Sequence, residues 1–234
     1  MPTVEVIIPW LPGCPYRTRA LGYVTTRHTH PFTVAHGSTP WVKANAVMPA
    51  VARSTADIVV VSDADVWCDP TEAIEAVRAG APWAKPHRNV YRLNAEGTEA
   101  FYEGADYRDL PLDREVYRGI AGGGMVVAKR TTLLDIPLDP RFVGWGQEDE
   151  SWALALHTVA GMAYLGEEDL IHLWHPPQPR LSSRKGSREN WNLMRRYVTA
   201  RRDPEQMRSL LKEIHALKPT QPPVPDREAR PVRG

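Results

Sequence analysis

The chain has 234 residues, of which 42% are hydrophobic and 24% are charged, a composition typical of one folded globular unit rather than a disordered chain. Its formal net charge is +1, but the charge is unevenly distributed. Residues 180–234 contain 14 Lys and Arg against 6 Asp and Glu, whereas residues 1–179 contain 15 against 22. The sequence therefore combines an acidic body with a basic C-terminal segment.

Membrane and secretory classes have no support in the sequence. No apolar run approaches the roughly 20 residues of a membrane-spanning helix, and residues 1–12 lack the basic start of a signal peptide. The two cysteines, Cys14 and Cys68, are too few for a disulfide framework. We therefore expect no transmembrane segment and a cytoplasmic location.

Strand and helix patterns alternate over the first 85 residues. Short β-branched runs predict strands at 4–8, 32–35 and 58–61. Helical spacing of apolar residues predicts helices over 17–27, 41–53 and 70–79. This order is typical of a mostly parallel, Rossmann-like α/β sheet with helices on both faces.

The pattern is less regular in the second half. Residues 89–118 predict a helix fragment and a long loop, and short strands are predicted at 125–127, 163–165 and 170–174. A helix over 147–159 has an acidic first turn. Further helices at 189–202 and 204–217 form a C-terminal helical extension, and residues 219–234 are Pro-rich and charged, which predicts disorder.

The first candidate for chemistry is Asp63-Ala64-Asp65, which directly follows the strand at 58–61. Ligands of open α/β sheets bind at the carboxyl ends of the strands. Two acids at this spacing can present oxygens to one hard divalent cation. An Asp-x-Asp triplet is common by chance, so it is the position after a buried strand that favours a functional role.

The second candidate is the string Gly144-Trp145-Gly146-Gln147-Glu148-Asp149-Glu150. Acids in a first helical turn are explained by capping and by the helix dipole, but capping does not explain Gly-Trp-Gly. Glycines at this point indicate a backbone that a ligand approaches closely. We predict a functional segment in which the glycine neighbours leave Trp145 exposed.

The third candidate is His172-Leu173-Trp174-His175, which precedes two prolines. In a strand, His172 and His175 point to opposite faces, so sharing one metal requires a bend, which Pro176 favours. A neutral imidazole that completes the carboxylate site is chemically reasonable.

The order of these motifs resembles nucleotide-sugar glycosyltransferases of the GT-A fold. The likeness is strongest to the β-1,4-galactosyltransferase and polypeptide N-acetylgalactosaminyltransferase group and to bacterial chondroitin polymerase domains. It covers roughly residues 3–177, and its most specific part is the segment 145–149, Trp-Gly-Gln-Glu-Asp. It implies a catalytic domain over 1–179. The basic segment over 180–218 lies outside the likeness, and its charge and helical pattern predict a helical extension packed on or beside that domain, followed by the tail over 219–234.

The resemblance also implies roles for individual residues. Asp149 matches the catalytic base of inverting members, and Glu148 would hold donor or acceptor hydroxyls. Asp65 would bind the metal, Mn²⁺ or Mg²⁺, with Asp63 contacting ribose or a metal-bound water, and His175 and His172 match a third and a weaker fourth ligand. Together with Trp145, the residues implied to bind the nucleotide-sugar are Pro9, Arg17, Arg19, Lys43, Asn45, Asp63, Gly123 and Gly124.

The expected activity is therefore metal-dependent transfer of a sugar, with inversion, from a nucleotide-sugar such as a UDP-sugar to an acceptor hydroxyl. Alternatives remain open: a nucleotidyltransferase or phosphohydrolase on a similar sheet, or a nucleic-acid-binding module that uses the basic C-terminal segment. An enzyme of the phage type that glycosylates modified DNA bases would combine sugar transfer with nucleic-acid binding by the basic segment. The acceptor could be a glycan, a protein, a lipid-linked molecule or DNA, and the basic segment could contact an anionic partner.

Overall fold

The computed structural model describes residues 2–119, 122–177 and 187–217. Within these ranges the strands are β1 (Val4–Trp10), β2 (Phe32–His36), β3 (Ile58–Ser62), β4 (Val66–Trp67), β5 (Trp83–Arg92), β6 (Tyr117–Arg118), β7 (Met125–Lys129) and β8 (Tyr164–His172). The α-helices are α1 (Pro15–Thr25), α2 (Lys43–Arg53), α3 (Thr71–Arg78), α4 (Ala95–Tyr102), α5 (Arg130–Asp135), α6 (Glu148–Val159), α7 (Arg188–Ala200) and α8 (Pro204–Ala216). None of these helices is both long and apolar enough to cross a membrane.

The described strands form one mixed sheet in the order β2-β1-β3-β7-β5-β8-β4, with β6 beside β5. The pairs β1–β2, β1–β3 and β5–β8 are parallel, and β7 runs antiparallel to both of its neighbours. Strands β1, β2, β3, β5 and β8 therefore share one direction. The expected α/β class, a mostly parallel sheet flanked by helices, is confirmed.

Strand β3 shows how the sequence builds the two layers around the sheet. All five of its residues are buried, and their side chains alternate between faces because the period of a strand is two. Ile58 and Val60 enter the core cluster that includes residues of α3, whereas Val59 and Val61 enter the cluster that includes α2, α6, α7 and α8. A continuous β-branched run is typical of a strand buried on both faces.

Two long strands, β5 and β8, differ from the sequence-based prediction, and the two-residue strands β4 and β6 are not predicted at all. The sequence pattern predicts no strand between residues 80 and 124, yet β5 spans Trp83–Arg92. Pro86 and its charged neighbours hide the alternation of apolar and polar residues that would indicate a strand. The register against β8 shifts on either side of His87, and proline is tolerated in a sheet at such irregularities. The strands predicted at 163–165 and 170–174 are one strand, β8, which continues through Gly166. A Cβ at Gly166 would lie 2.2 Å from the Pro86 carbonyl oxygen, so the glycine permits a close backbone approach rather than ending the strand.

Helices α7 and α8 pack against α6 and belong to the same core cluster. Met194 and Tyr197 of α7 and Leu211 of α8 lie in one cluster with Trp152 and Leu156 of α6. The Tyr197 hydroxyl donates a hydrogen bond of 2.7 Å to Asp139. The segments 178–186 and 218–234, which include the boundary predicted near 179 and the predicted disordered tail, lie outside the described residues.

Candidate active site

The candidate site lies at the edge of the sheet where β3 ends. Asp63 directly follows this strand, and its backbone N–H donates a hydrogen bond of 2.9 Å to the Gly124 carbonyl. The Gly124 N–H donates back to Asp63 Oδ2 at 3.3 Å. Gly124 has φ +78, a conformation that favours glycine. The predicted Asp-x-Asp segment and Gly124 are therefore in direct contact.

Asp65, His172 and His175 form a group with the geometry of a cation site, which we call the Asp65 cluster. One ligand atom from each of the three residues lies within 4.8 Å of the others. Asp65 follows β3, His172 is the last residue of β8, and His175 lies three residues beyond it. Because β8 ends at His172, the chain bends, and the two imidazole centroids lie 5.4 Å apart rather than on opposite faces of one strand.

The hydrogen bonds of the two histidines define their tautomers. His172 Nδ1 lies 2.9 Å from the Leu173 carbonyl oxygen, and His175 Nδ1 lies 2.8 Å from the Pro176 carbonyl oxygen. A carbonyl only accepts, so each Nδ1 carries a proton and each Nε2 of the neutral ring is left as a potential ligand. Burial lowers the pKa of His172 to about 4 and also lowers the pKa of His175, which favours the neutral form that binds metals.

Arg17 of α1 contacts the Asp65 cluster. Its Nε lies 3.0 Å from Asp65 Oδ2, and its Nη2 lies 3.3 Å from His175 Nε2. Burial works against ionisation of Asp65, but the charge of Arg17 and its hydrogen bond to the carboxylate favour it, and the pKa of this carboxyl is lowered. Asp65 is therefore held as a carboxylate.

A second group, which we call the Lys43 cluster, consists of Lys43, Asp63 and Asp149. Lys43 begins α2, and its Nζ lies 2.7 Å from Asp63 Oδ1 and 2.8 Å from Asp149 Oδ1. The lysine side chain is 6% exposed, and the two carboxylates are 27% and 30% exposed. Burial opposes the charge of Lys43, but Asp149 and Asp63 outweigh it and raise its pKa. The ammonium group thus joins the segment after β3 to the start of α6.

Glu148 and Asp149 occupy the first turn of α6. The preceding Gln147 has φ 76, the one positive φ among the described non-glycine residues, a strained conformation of the kind that concentrates at functional sites. Burial, followed by the charge of Asp149, raises the pKa of Glu148 to about 7, and its Oε2 is buried without a hydrogen-bond partner. Burial also raises the pKa of Asp149, against the opposing effect of Lys43.

Gly122 also contributes to the site, although no sequence motif points to this particular glycine. It has φ +85, and a Cβ at this position would lie 2.1 Å from the Asp149 carbonyl oxygen and 3.1 Å from Ala153 Cβ. The backbone before β7 therefore packs directly against the first turns of α6. The run of three glycines at 122–124 was the available signal, but the sequence alone does not show which glycine touches a neighbouring helix.

The other residues implied by the resemblance occupy several positions. Pro9 is buried in β1, and Gly123 is half-buried beside Gly124. Trp145 is 44% exposed, as predicted from its glycine neighbours, which have φ +79 and +107.

Arg19 and Asn45, both implied to bind the nucleotide-sugar, point away from the site. Each lies two positions after a site residue on the same helix, and positions i and i+2 of a helix do not share a face. Arg19 is exposed and pairs with Glu99 at 2.5 Å, whereas Arg17 faces Asp65, and Asn45 is exposed whereas Lys43 is buried.

Comparison with known proteins gives a match in structure only. No protein-family model matches the chain, and no curated protein matches its sequence. The chain is similar to the crystal structure of GalNAc-T7 with UDP, GalNAc and Mn²⁺, with a TM-score of 0.54 and 9% identity over 92% of this chain. It spans 55% of the GalNAc-T7 chain.

A second structure that it resembles is glucosyl-3-phosphoglycerate synthase from Mycobacterium tuberculosis in complex with Mn²⁺, UDP and phosphoglyceric acid. The TM-score is 0.48 and the identity 15%, over 86% of this chain and 79% of that one. The likeness to GalNAc-T7 concerns the fold alone, because the identity is low. The chain has the GT-A fold, and the fold that the resemblance implies is confirmed.

Proposed function

We propose that the protein is a metal-dependent glycosyltransferase that moves a sugar from a nucleotide-sugar to an acceptor hydroxyl with inversion. The observation that carries the proposal is the meeting of two clusters at one edge of a GT-A sheet. The Asp65 cluster offers a cation position, and the Lys43 cluster places Asp149 beside it. Asp63 connects them, since it lies two residues from Asp65 and pairs with Lys43.

The donor set of the Asp65 cluster fits Mn²⁺. One carboxylate and two neutral imidazoles suit a borderline transition metal better than Mg²⁺, which prefers oxygen ligands in a near-ideal octahedron. Asp65 and His175 would hold the ion, with His172 as a further ligand. When bound, the ion supplies Lewis-acid stabilisation of the charge that develops on a leaving diphosphate. The GalNAc-T7 structure likewise contains Mn²⁺ and UDP, which supports a UDP-sugar as the donor.

Electrostatics gives an independent reason for a cation. Asp63, Asp65 and Asp149 face two basic side chains, Arg17 and Lys43, within the described site. A diphosphate brought to this edge would meet like charge, and like charges at close range cost several kcal/mol in a partly buried site. A divalent cation at the Asp65 cluster removes that repulsion.

In the chemical step, the acceptor oxygen forms a bond to the anomeric carbon while the bond from that carbon to the diphosphate oxygen breaks. Asp149 takes the proton of the acceptor hydroxyl as general base. The leaving diphosphate keeps the bonding electron pair. Lys43 orients the Asp149 carboxylate, and Glu148, whose Oε2 lacks a partner in the protein, is placed to accept a hydrogen bond from a sugar hydroxyl. Trp145 offers an exposed ring for a sugar face.

The charge of helices α7 and α8 indicates which classes of acceptor should be tested. Part of their charge is used internally, because Glu213 pairs with both Arg196 and Arg141. Arg195, Arg201 and Arg208 are exposed on or beside α7 and α8, which supports testing an anionic acceptor such as DNA beside neutral ones.

A donor-by-acceptor screen tests the proposal. The purified chain is incubated with Mn²⁺ and each of several UDP- and other nucleotide-sugars, alone and with glycan, peptide, lipid-linked and DNA acceptors. Released nucleoside diphosphate and the sugar-bearing product are both measured. We expect release of UDP, accelerated by one acceptor class. Transfer of a nucleotidyl group with release of pyrophosphate would instead identify a nucleotidyltransferase, and salt-dependent DNA binding without turnover would identify a binding module.

A further inference from the structure

Arg17 contacts two of the three residues of the Asp65 cluster. Its guanidinium contacts Asp65 Oδ2 at 3.0 Å through Nε and His175 Nε2 at 3.3 Å through Nη2. These two acceptor atoms lie 3.2 Å from each other. Because Nδ1 of His175 is 2.8 Å from the Pro176 carbonyl oxygen, Nε2 is the one ring atom of His175 left to bind a metal ion. The side chains of Arg17, Asp65 and His175 are 17%, 12% and 2% exposed, respectively.

Because of the tautomer of His175, its Nε2 and Asp65 Oδ2 can lie this close together only when a cation contacts both. His175 Nδ1 donates to the Pro176 carbonyl, so Nε2 of the neutral ring presents a lone pair to Asp65 Oδ2. Two acceptors at 3.2 Å with no hydrogen between them repel each other. The N–H groups of Arg17 donate to both atoms and replace that repulsion with two charge-assisted hydrogen bonds.

We propose that Arg17 is a built-in counter-cation that holds the Asp65 cluster together in the metal-free protein and must leave when the metal binds. The single lone pair of His175 Nε2 cannot serve a guanidinium N–H and a metal ion at once, so metal binding at this atom breaks the contact with Arg17. Metal affinity is therefore set by a competition inside the protein. Removing the guanidinium strengthens metal binding and weakens the metal-free fold.

The released guanidinium acquires a new partner in the donor, and this step rests on the proposed function. Arginine binds diphosphate oxygens with paired N–H donors, and Arg17 begins its displacement at the Asp65 cluster, next to which the diphosphate would bind. The nucleotide thus lowers the cost of displacing Arg17. Metal and nucleotide should bind with positive coupling, each increasing the affinity of the other by the same factor.

The test measures Mn²⁺ binding by isothermal titration calorimetry without any sugar donor, so that it does not depend on turnover. Arg17→Gln is compared with the natural chain and with Arg27→Gln, since Arg27 follows the same helix but is exposed and lies over the Tyr23 ring. We expect Arg17→Gln to bind Mn²⁺ about tenfold more tightly or better, as the loss of two charged hydrogen bonds implies. Arg27→Gln should match the natural chain, and the metal-free Arg17→Gln protein should melt at a lower temperature.

Equal or weaker Mn²⁺ binding by folded Arg17→Gln, or no binding by either protein, would overturn the proposal. Arg17→Lys provides a second variant that keeps the charge but loses the paired donors, and its Mn²⁺ affinity should fall between the other two. Repeating the titrations with UDP present tests the coupling, which should be smaller in Arg17→Gln than in the natural chain. A protein that shows these metal affinities but transfers no sugar would retain the Arg17 inference and lose the proposed function.

Discussion

The Nζ atom of Lys43 lies 2.8 Å from Oδ1 of Asp149, although 106 residues separate them in the sequence. Lys43 begins α2 and Asp149 is in the first turn of α6, so two helix N-termini meet through one ion pair. Each N-terminus carries partial positive charge from its unpaired N–H groups. That field and the ammonium group both favour an ionised Asp149, which a general base requires.

Removal of the ammonium group should raise the pKa of Asp149 further above its ordinary value. A base acts only when deprotonated, so the acidic limb of the pH–rate profile of Lys43→Met should move to higher pH. At pH values on that limb, the rate should fall in proportion to the deprotonated fraction of Asp149. Breaking a fully buried ion pair costs about 3–5 kcal/mol of stability. The loss in Lys43→Met should be smaller, because the side chains of Asp63 and Asp149 are 27% and 30% exposed. Lys129→Met, at the exposed end of β7, is the matched control, and an unshifted limb in folded Lys43→Met would contradict the assignment.

Substitution of the proposed base itself should reduce the rate without disturbing the fold. Asp149→Asn keeps the shape of the side chain and removes its basicity, and general-base assistance is typically worth about 10²–10⁴ in rate. We expect kcat to fall within that range while the melting temperature stays close to that of the natural chain. Glu150→Gln changes the next acid, which is exposed, and should retain activity. Full activity in Asp149→Asn would exclude the residue as the base.

Glu148 should make stability fall as the pH rises. Its pKa of about 7 in the folded protein is above the ordinary value of 4.5, so the folded state binds more protons between these limits and loses stability with increasing pH. Glu148→Gln removes this penalty. At pH 8 the variant should be more stable than the natural chain by roughly 1–3 kcal/mol, and near pH 4 the difference should vanish. Chemical denaturation of both proteins at both pH values measures the difference, and equal stability at pH 8 would contradict it.

The packing of Gly122 against α6 predicts a large effect from one methyl group. In Gly122→Ala, the side chain meets the Asp149 carbonyl at φ +85, and strain of this kind costs about 1–3 kcal/mol before any shift of α6. Both the melting temperature and the activity should fall. Gly22→Ala is the matched control, because Gly22 lies within α1 and, apart from its chain neighbours and the backbone of its own helix, nothing lies within 4 Å of the added Cβ. That substitution should be neutral or stabilise by about 0.4–1 kcal/mol.

The sequence predicts the parts of the fold in which local pattern and burial agree. Ile58 to Val61 form a continuous β-branched run, and the same run locates Asp63 and Asp65 at the end of a buried strand. Strand β5 was not predicted, because its stability comes from pairing with β7 and β8 rather than from its own residues, which include Pro86 and several charges. Tertiary pairing of this kind overrides local propensity.

For the site, the sequence predicts which residue types are present but not which of them touch. The resemblance groups Asp65, His172 and His175, and in the structure one ligand atom from each lies within 4.8 Å of the others. The contacts of Arg17 with Asp65 and of Lys43 with Asp149 join residues 48 and 106 positions apart. Such contacts follow from how α1, α2 and α6 are placed around the sheet, and no local spacing encodes them.

The central claim is that the Asp65 cluster binds the metal on which sugar transfer depends. Its most direct test is the Mn²⁺ dependence of UDP release from the donor identified by the screen. UDP release is followed for the natural chain in Mn²⁺, in excess chelator and after Mn²⁺ is restored, and in parallel for Asp65→Ala. Loss of turnover in chelator, recovery with Mn²⁺, and no metal-dependent turnover in Asp65→Ala are the predicted results. Full activity of Asp65→Ala in chelator would contradict the assignment of this site as a metal-dependent glycosyltransferase centre.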